Sequence, residues 1–170
     1  LASYMIEGGG SKNFVETKAF MYREPAAWHR LMAKLADNVG RYLVAQVEAG
    51  AQVLQLFDSW VGHLSPTDYR EFVLPHSRAV FAALPKGIPT IHFGVGTSTR
   101  MELIGEAGGD VIGVDYHQEL GEAWKRLPGK GVQGNLDPAA LFAPRAFIKE
   151  RVKRILDQAA GRPGHVFNLG

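Results

Sequence analysis

The sequence predicts an α/β protein whose strands run parallel in one sheet. Five short apolar runs alternate with segments of helical periodicity, and a helix between two strands returns the chain to the same end of the sheet. The runs are almost continuously apolar, which is typical of strands covered on both faces. Polar residues follow each run directly, so functional groups are expected at the carboxyl ends of the strands.

The first long element is an amphipathic helix that starts at Pro25 and can end at Gly50. Its apolar residues recur at steps of three and four, so the helix is expected to bury one stripe. The stripe consists of Trp28, Leu31, Met32, Leu35, Val39, Tyr42, Leu43 and Val47. Before this helix, the glycine-rich residues 8–11 predict a flexible turn.

The first strand is predicted over residues 51–57, between Gly50 and a polar Asp-Ser pair. A helix follows, because Ser65 is a typical N-cap and Pro66 suits the first helical position. This helix is expected to reach about residue 84 and to be interrupted at Pro75.

The same strand and helix unit recurs along the rest of the chain. Strands are predicted at residues 89–93, 110–114, 131–135 and 165–169. The intervening helices carry Met101, Leu103 and Ile104 in one case, run through Ala123 to Leu127 in the next, and present a buried stripe of Phe147, Ile148, Val152, Ile155 and Leu156 in the last. Asp137 and Pro138 are expected to start that last helix.

Two architectures fit this order, a doubly wound sheet and a segment of a (β/α)8 barrel. A doubly wound nucleotide-binding protein usually carries a glycine-rich phosphate fingerprint, and Gly94-Val95-Gly96 only approaches one. We therefore favour the barrel. A full barrel has eight strands in about 250 residues. Residues 1–170 are accordingly predicted to form a single incomplete barrel domain, a partial (β/α)8 TIM barrel of about five strands.

The composition of the chain argues against several classes of function. The chain has 19 Lys and Arg against 17 Asp and Glu, scattered evenly, which argues against a nucleic-acid partner. It has no cysteine, which excludes a thiolate zinc site, an iron-sulfur cluster and a cysteine nucleophile. No apolar run approaches the roughly 20 residues of a membrane span. We expect a cytoplasmic protein, and the missing initial Met leads us to expect an incomplete one.

Four segments carry a family resemblance. They are YMIEGGGS at residues 4–11, GAQVLQLFDSWVG at 50–62, QGNLDP at 133–138 and NLG at 168–170. Together, in this order and spacing, they resemble the uroporphyrinogen decarboxylase family. The resemblance implies a (β/α)8 barrel, usually a homodimer, that needs no metal or cofactor. It also implies removal of four acetate carboxyl groups from uroporphyrinogen to give coproporphyrinogen in haem and tetrapyrrole biosynthesis.

The resemblance implies that this chain supplies strands four to eight of the barrel. The family's pocket tyrosine and serine then match Tyr4 and Ser59, and Phe57 matches an aromatic residue of the pocket wall. An Asp after the second strand, arginines near the first strand and a His after the final Asn-Leu-Gly belong to the family's site and fall outside this sequence. Without the resemblance, we would interpret Tyr4 as a half-buried tyrosine without a function. Ser59 would then be a helix or turn cap, and Phe57 a core residue.

Other polar residues have structural explanations. Asp58, Asp115, Asn135 and Asp137 are expected to bind backbone amides of loops and helix starts. His63, His92 and His117 lack the spacing of metal ligands, so satisfied or exposed imidazoles are expected.

Two alternative functions remain open. One is a corrinoid- or cobalamin-dependent methyltransferase, since such enzymes share the fold; their zinc-thiolate site has no counterpart in a chain without cysteine. The other is a non-catalytic remnant that binds or organises tetrapyrroles.

Overall fold

One five-stranded parallel sheet organises the molecule. The computed structural model describes all residues 1–170. The strands are β1 (Leu54–Phe57), β2 (Thr90–Phe93), β3 (Val111–Gly113), β4 (Gly131–Gln133) and β5 (His165–Val166). They lie in the order β1-β2-β3-β4-β5, and every neighbouring pair is parallel.

The strand order decides between the two predicted architectures. In a doubly wound sheet the order reverses at a switch point, whereas in a barrel each strand pairs with the next one along the chain. Here every strand neighbours the next one in sequence. The prediction of a partial barrel is therefore confirmed.

Eight α-helices accompany the sheet: α1 (Ala2–Glu7), α2 (Val15–Arg23), α3 (Pro25–Glu48), α4 (Pro66–Phe72), α5 (Leu74–Ala82), α6 (Met101–Ala107), α7 (Leu120–Lys125) and α8 (Arg145–Ala159). The interruption predicted at Pro75 is present as the break between α4 and α5. Helices α1 and α2 were not predicted, and they flank the glycine-rich turn. None of the eight helices combines the length and the apolar character that crossing a membrane requires.

The last helical segment differs from its prediction. Asp137 caps a short 3₁₀ turn, Pro138–Phe142, through a hydrogen bond from the Ala139 N–H to its carboxylate at 2.9 Å. Helix α8 begins separately, after Pro144. Its predicted stripe is only partly buried, because α8 packs chiefly against α7 and the preceding turn. Ile155 is buried, whereas Phe147 and Leu156 are exposed.

Strand β5 is also shorter than predicted. Its regular pairing with β4 ends at Val166, and pairing resumes at one parallel bridge between Leu136 and Leu169. The Leu136 N–H donates to the Asn168 carbonyl, and the Gly170 N–H donates to the Leu136 carbonyl. The carboxyl ends of β4 and β5 are therefore still held together.

Alternation along the strands separates two faces of the sheet. Leu54, His92, Ile112 and Val132 share the face covered by helices, and all four are buried. The other face, which would line the lumen of a barrel, carries Gln55, Phe57, Phe93, Gly113 and Gln133. The helix face thus buries Leu54, Ile112 and Val132 together with His92, whereas the lumen face presents two phenylalanines and two glutamines.

Candidate functional site

A cavity of about 700 Å³ opens beside the free edge of β1. Its walls come from α1, α2, α3, α5, β1 and the turn after β1, and they are mostly apolar. The three residues singled out in the sequence, Tyr4, Phe57 and Ser59, all line this cavity. The structure thus brings together side chains that lie more than fifty residues apart in the sequence.

Phe57 is the last residue of β1 and lies on the lumen face. Its side chain is largely exposed, at 62%. Its register partner Phe93, at the end of β2, approaches it edge to face with ring centroids 6.0 Å apart. Phe93 was not predicted as a site residue from the sequence. The signal was present, since both phenylalanines end adjacent parallel strands, but the register was needed to pair them.

Tyr4 is presented by the short helix α1, which is fixed at its carboxyl end. Gly8 adopts a left-handed conformation there, with φ of 66°, and its N–H donates to the Tyr4 carbonyl. Glu7 ties α1 to α2, because its carboxylate accepts from the Thr17 N–H at 2.9 Å and the Thr17 hydroxyl at 2.8 Å. The backbone hydrogen bond from Thr17, above all, holds the pKa of Glu7 below its usual range.

Asp58 anchors the turn that carries Ser59. Its Oδ2 accepts hydrogen bonds from the Ser77 hydroxyl at 2.7 Å and from His92 Nε2 at 2.9 Å. Burial raises the pKa of this carboxyl, but the hydrogen bond and the charge of His92, together with Ser77, outweigh it, so the pKa is lowered overall. The expectation that Asp58 binds loop amides was wrong. Its carboxylate binds the side chains of Ser77 and His92, which lie 19 and 34 residues further along the chain.

His92 is fully buried on the helix face of β2. Its Nε2 contacts Asp58, and its Nδ1 lies 3.2 Å from the Ile104 carbonyl oxygen. Both contacts can be hydrogen bonds at the same time only when both ring nitrogens carry a proton. His92 is thus a buried imidazole with a polar partner near each ring nitrogen. No group of three or more His, Asp or Glu residues lies close enough to hold a metal ion.

Asp115 organises the loops after β2 and β3. Its side chain is almost fully buried and accepts hydrogen bonds from the N–H groups of Gly96 and His117, as expected for a residue that binds loop amides. His117 Nδ1 also lies 3.2 Å from Asp115 Oδ2. The His117 ring is half-exposed and stacks on Tyr116, with centroids 4.2 Å apart.

Asn135 is a hydrogen-bond donor to the loop after β3, not the acceptor that was expected. Its Nδ2 donates to the carbonyls of Asp115 and Gln118, at 2.9 and 2.7 Å, whereas acceptance from amides was predicted. On the lumen face, Gln133 Nε2 lies 3.5 Å from Gln55 Oε1. This amide pair joins β4 to β1 across the concave side of the sheet. Neither glutamine was singled out from the sequence.

Comparisons with known proteins establish the family of this chain. The family model described as uroporphyrinogen decarboxylase (URO-D) matches residues 1–170. The chain belongs to the uroporphyrinogen decarboxylase family. It is 55% identical to a uroporphyrinogen decarboxylase of Carboxydothermus hydrogenoformans and 56% identical to one of Thermus thermophilus. Both alignments include 100% of this chain, but only 49% and 50% of those relatives.

The chain thus spans about half the length of the uroporphyrinogen decarboxylases it matches. Its fold is also similar to that of a methyltransferase from Methanosarcina mazei, with a TM-score of 0.70 and 18% sequence identity. That likeness covers 86% of this chain and 48% of the methyltransferase. At this identity it concerns the fold alone, and it agrees with a partial barrel.

Proposed function

We propose that this chain is the part of a uroporphyrinogen decarboxylase that forms strands four to eight of its barrel. The whole enzyme is a carboxy-lyase that removes the four acetate carboxyl groups of uroporphyrinogen, gives coproporphyrinogen and serves haem and tetrapyrrole biosynthesis. The observation that carries the proposal is the family match over residues 1–170.

The reaction needs little from the protein because the substrate accepts its own electrons. Protonation of a pyrrole ring carbon creates a cation, and the electron pair of the breaking C–C bond neutralises that cation as carbon dioxide leaves. A proton then adds to the exocyclic carbon, the ring loses its extra proton, and the acetate has become a methyl group. The protein has to supply a proton donor, stabilise the cation and orient the departing carboxylate.

Tyr4 and Ser59 have the chemistry for orienting that carboxylate. Each hydroxyl can donate one hydrogen bond to a carboxylate oxygen, and neither carries the charge that would bind the group as firmly as Arg does. Phe57, with Phe93 against its edge, supplies an apolar wall for a pyrrole ring. Asp58 acts indirectly, since its bonds to Ser77 and His92 fix the turn from which Ser59 is presented.

The remaining groups of the site would come from the part of the family's length that this chain does not match. They include the carboxylate that stabilises the cation and the arginines that bind substrate carboxylates. We also propose that the whole protein is a cytoplasmic homodimer and that it works without a metal or cofactor. The scarcity of cationic side chains in the cavity wall of this chain, where Lys18 is the one Lys or Arg, supports this division of labour.

The proposal is tested with a chimera in which this chain replaces the matching half of the Thermus thermophilus relative, to which it is 56% identical. We expect a folded chimera to convert uroporphyrinogen to coproporphyrinogen under anaerobic conditions, as measured by chromatography of the oxidised porphyrins. The unaltered relative is the positive control.

The same experiment separates the alternatives. A folded chimera that binds uroporphyrinogen without releasing carbon dioxide would support a non-catalytic tetrapyrrole-binding protein. A chimera that is inert toward tetrapyrroles would contradict the proposal outright. The methyltransferase alternative is not favoured, since the relatives at high identity are decarboxylases and the chain has no cysteine for a zinc-thiolate site.

A further inference from the structure

We propose that His117 binds a second side-chain carboxylate of the tetrapyrrole, at the rim beyond β3. This inference rests on the proposed function and adds a substrate contact to it. Its basis is an Asp-His pair at the carboxyl end of a parallel strand, built from Asp115 and His117 and backed by Tyr116.

The position of His117 suits a large substrate. Its strand, β3, is separated from β1 by β2 alone, so the ends of β1 and β3 are on the order of 10 Å apart. Ser59 follows β1, and His117 follows β3. A tetrapyrrole carries carboxylate arms around its whole periphery. One macrocycle can therefore place one arm at the turn of Ser59 and another at the rim beside His117.

The Asp115 carboxylate lies against one side of the His117 imidazole and leaves its other nitrogen for a ligand. The Asp115 side chain is 1% exposed, and its Oδ2 lies 3.2 Å from His117 Nδ1. The hydrogen bond from the His117 N–H to Asp115 Oδ1, at 3.1 Å, holds the backbone of the same residue. Because Nδ1 lies on the side of the Asp115 carboxylate, Nε2 is the nitrogen left for a ligand. When the ring is protonated, Nε2–H can donate to a carboxylate of the substrate.

Two further features favour a binding role. The His117 side chain is 51% exposed, and its ring lies nearly parallel to Tyr116, at 27°, so the orientation is supported while Nε2 stays accessible. Arg100, a cation in the loop region after β2, is not available for the same task. It is buried, and its Nη1 and Nη2 donate to the carbonyls of Gly96 and Leu64.

The test uses the chimera with four substitutions. His117→Gln replaces the imidazole with an uncharged amide, His117→Arg introduces a permanent cation, and His117→Glu introduces an anion. Lys125→Gln is the matched control, because it removes one positive charge from an exposed position on α7. The KM and kcat for uroporphyrinogen are measured for each variant, and thermal unfolding verifies that all are folded.

We expect His117→Gln to raise KM about three- to tenfold, the range for a partly exposed charged hydrogen bond, with the main change in KM since binding is what is lost. His117→Arg should restore KM to within about twofold, and His117→Glu should raise it further. The control should match the unaltered chimera.

Two results would overturn the inference. If KM is unchanged in His117→Gln, or if the Gln and Arg variants behave alike, His117 does not bind a substrate carboxylate, although the proposed function stands. If the folded chimera never decarboxylates uroporphyrinogen, the proposed function itself fails, and this contact fails with it.

Discussion

Ser59 owes its position to the residue before it. Asp58 carries two side-chain hydrogen bonds, from Ser77 on α5 and His92 on β2, and its own N–H donates to the Phe93 carbonyl at 2.7 Å. Two elements, α5 and β2, therefore converge on one residue next to the proposed carboxylate contact. A hydroxyl on such a turn is presented from a fixed backbone, which reduces the cost of orienting a substrate group.

Substitution of the two hydroxyl residues tests their role directly. In the chimera, Ser59→Ala and Tyr4→Phe should each lower kcat about tenfold, because each removes one hydrogen bond to the departing carboxylate. Partly decarboxylated porphyrinogens should accumulate and be visible by chromatography. Ser98→Ala is the control, since Ser98 follows β2 but does not line the cavity. Product distributions identical to those of the control would remove both residues from the site.

The sequence predicted part of this site because part of it is local. Tyr4, Phe57 and Ser59 lie inside short motifs that resemble a family, so they could be identified without a structure. Phe93 and Gln133 could not, since their relevance depends on strand register and on a contact across the sheet. The partners of Asp58 were missed for the same reason: both lie on other elements.

A pair of histidines between α3 and α5 provides a test of pH dependence. His29 Nδ1 lies 2.9 Å from His76 Nε2, which is a hydrogen bond only if one of the two nitrogens is unprotonated. Burial lowers the pKa of His76, and the neighbouring His29 lowers it further. The unfolded chain, with an ordinary pKa of about 6.5, therefore binds a proton more readily than the folded one.

Stability should consequently fall as the pH drops below about 6.5, down to the lower pKa of folded His76. We expect His76→Gln to reduce the loss of unfolding free energy between about pH 7.5 and pH 5.5, as measured by urea denaturation of the chimera. His63→Gln, at an exposed histidine, should retain the full loss. An equal pH dependence in both variants would exclude the histidine pair as its origin.

Two loops at the carboxyl end of the sheet touch through glycine. A Cβ atom on Gly62, in the turn after β1, would lie 2.2 Å from the Val95 carbonyl oxygen in the loop after β2. Gly96 is also adjacent, and Arg100 donates to its carbonyl at 2.7 Å. Close backbone approach thus couples the loop of the Ser59 turn to the loop held by Asp115.

Gly62→Ala should therefore be costly although its backbone conformation suits any residue. We expect a loss of about 1–3 kcal/mol in unfolding free energy, because a backbone oxygen would have to move. Gly9→Ala is the matched control, since a Cβ there would meet nothing within 4 Å. It should change stability by less than about 0.5 kcal/mol. Denaturant unfolding of both variants measures this difference in unfolding free energy. Equal values would show that the two loops can move apart without loss of stability.

A helix was predicted correctly where the periodicity of its apolar residues agreed with Pro and Gly residues at its ends. Helix α3 was found because its apolar residues recur over many turns between Pro25 and Gly50. Helices α1 and α2 escaped notice because they are short and lie on either side of a glycine-rich turn. The stripe of α8 was overestimated, since periodicity reports which residues share a face but not whether a neighbour covers that face.

The sheet as a whole leaves β1 and β5 with one unpaired edge each. Val53, next to β1, is 51% exposed, and Val166 on β5 is also exposed. Unpaired edges with exposed apolar residues are templates for association with other chains. The 170-residue chain expressed alone is accordingly expected to be inactive and to aggregate.

Charge on the open edge should reduce that aggregation. Val53→Lys in the isolated chain should lower light scattering at a given concentration, because an edge lysine opposes strand pairing between molecules. Val15→Lys is the control, at a valine that is 61% exposed on α2 and remote from the sheet edge. If both variants scatter alike, overall charge rather than the edge governs association.

The sequential order of the strands has a consequence for how the molecule is made. Each strand pairs with the one synthesised just before it, from β1 through β5. Each of β2 to β5 therefore finds a partner strand that has already been made, and chains emerge from the ribosome in the same direction. Each new strand and helix can therefore dock onto a sheet already in place, so that the sheet lengthens one unit at a time during translation.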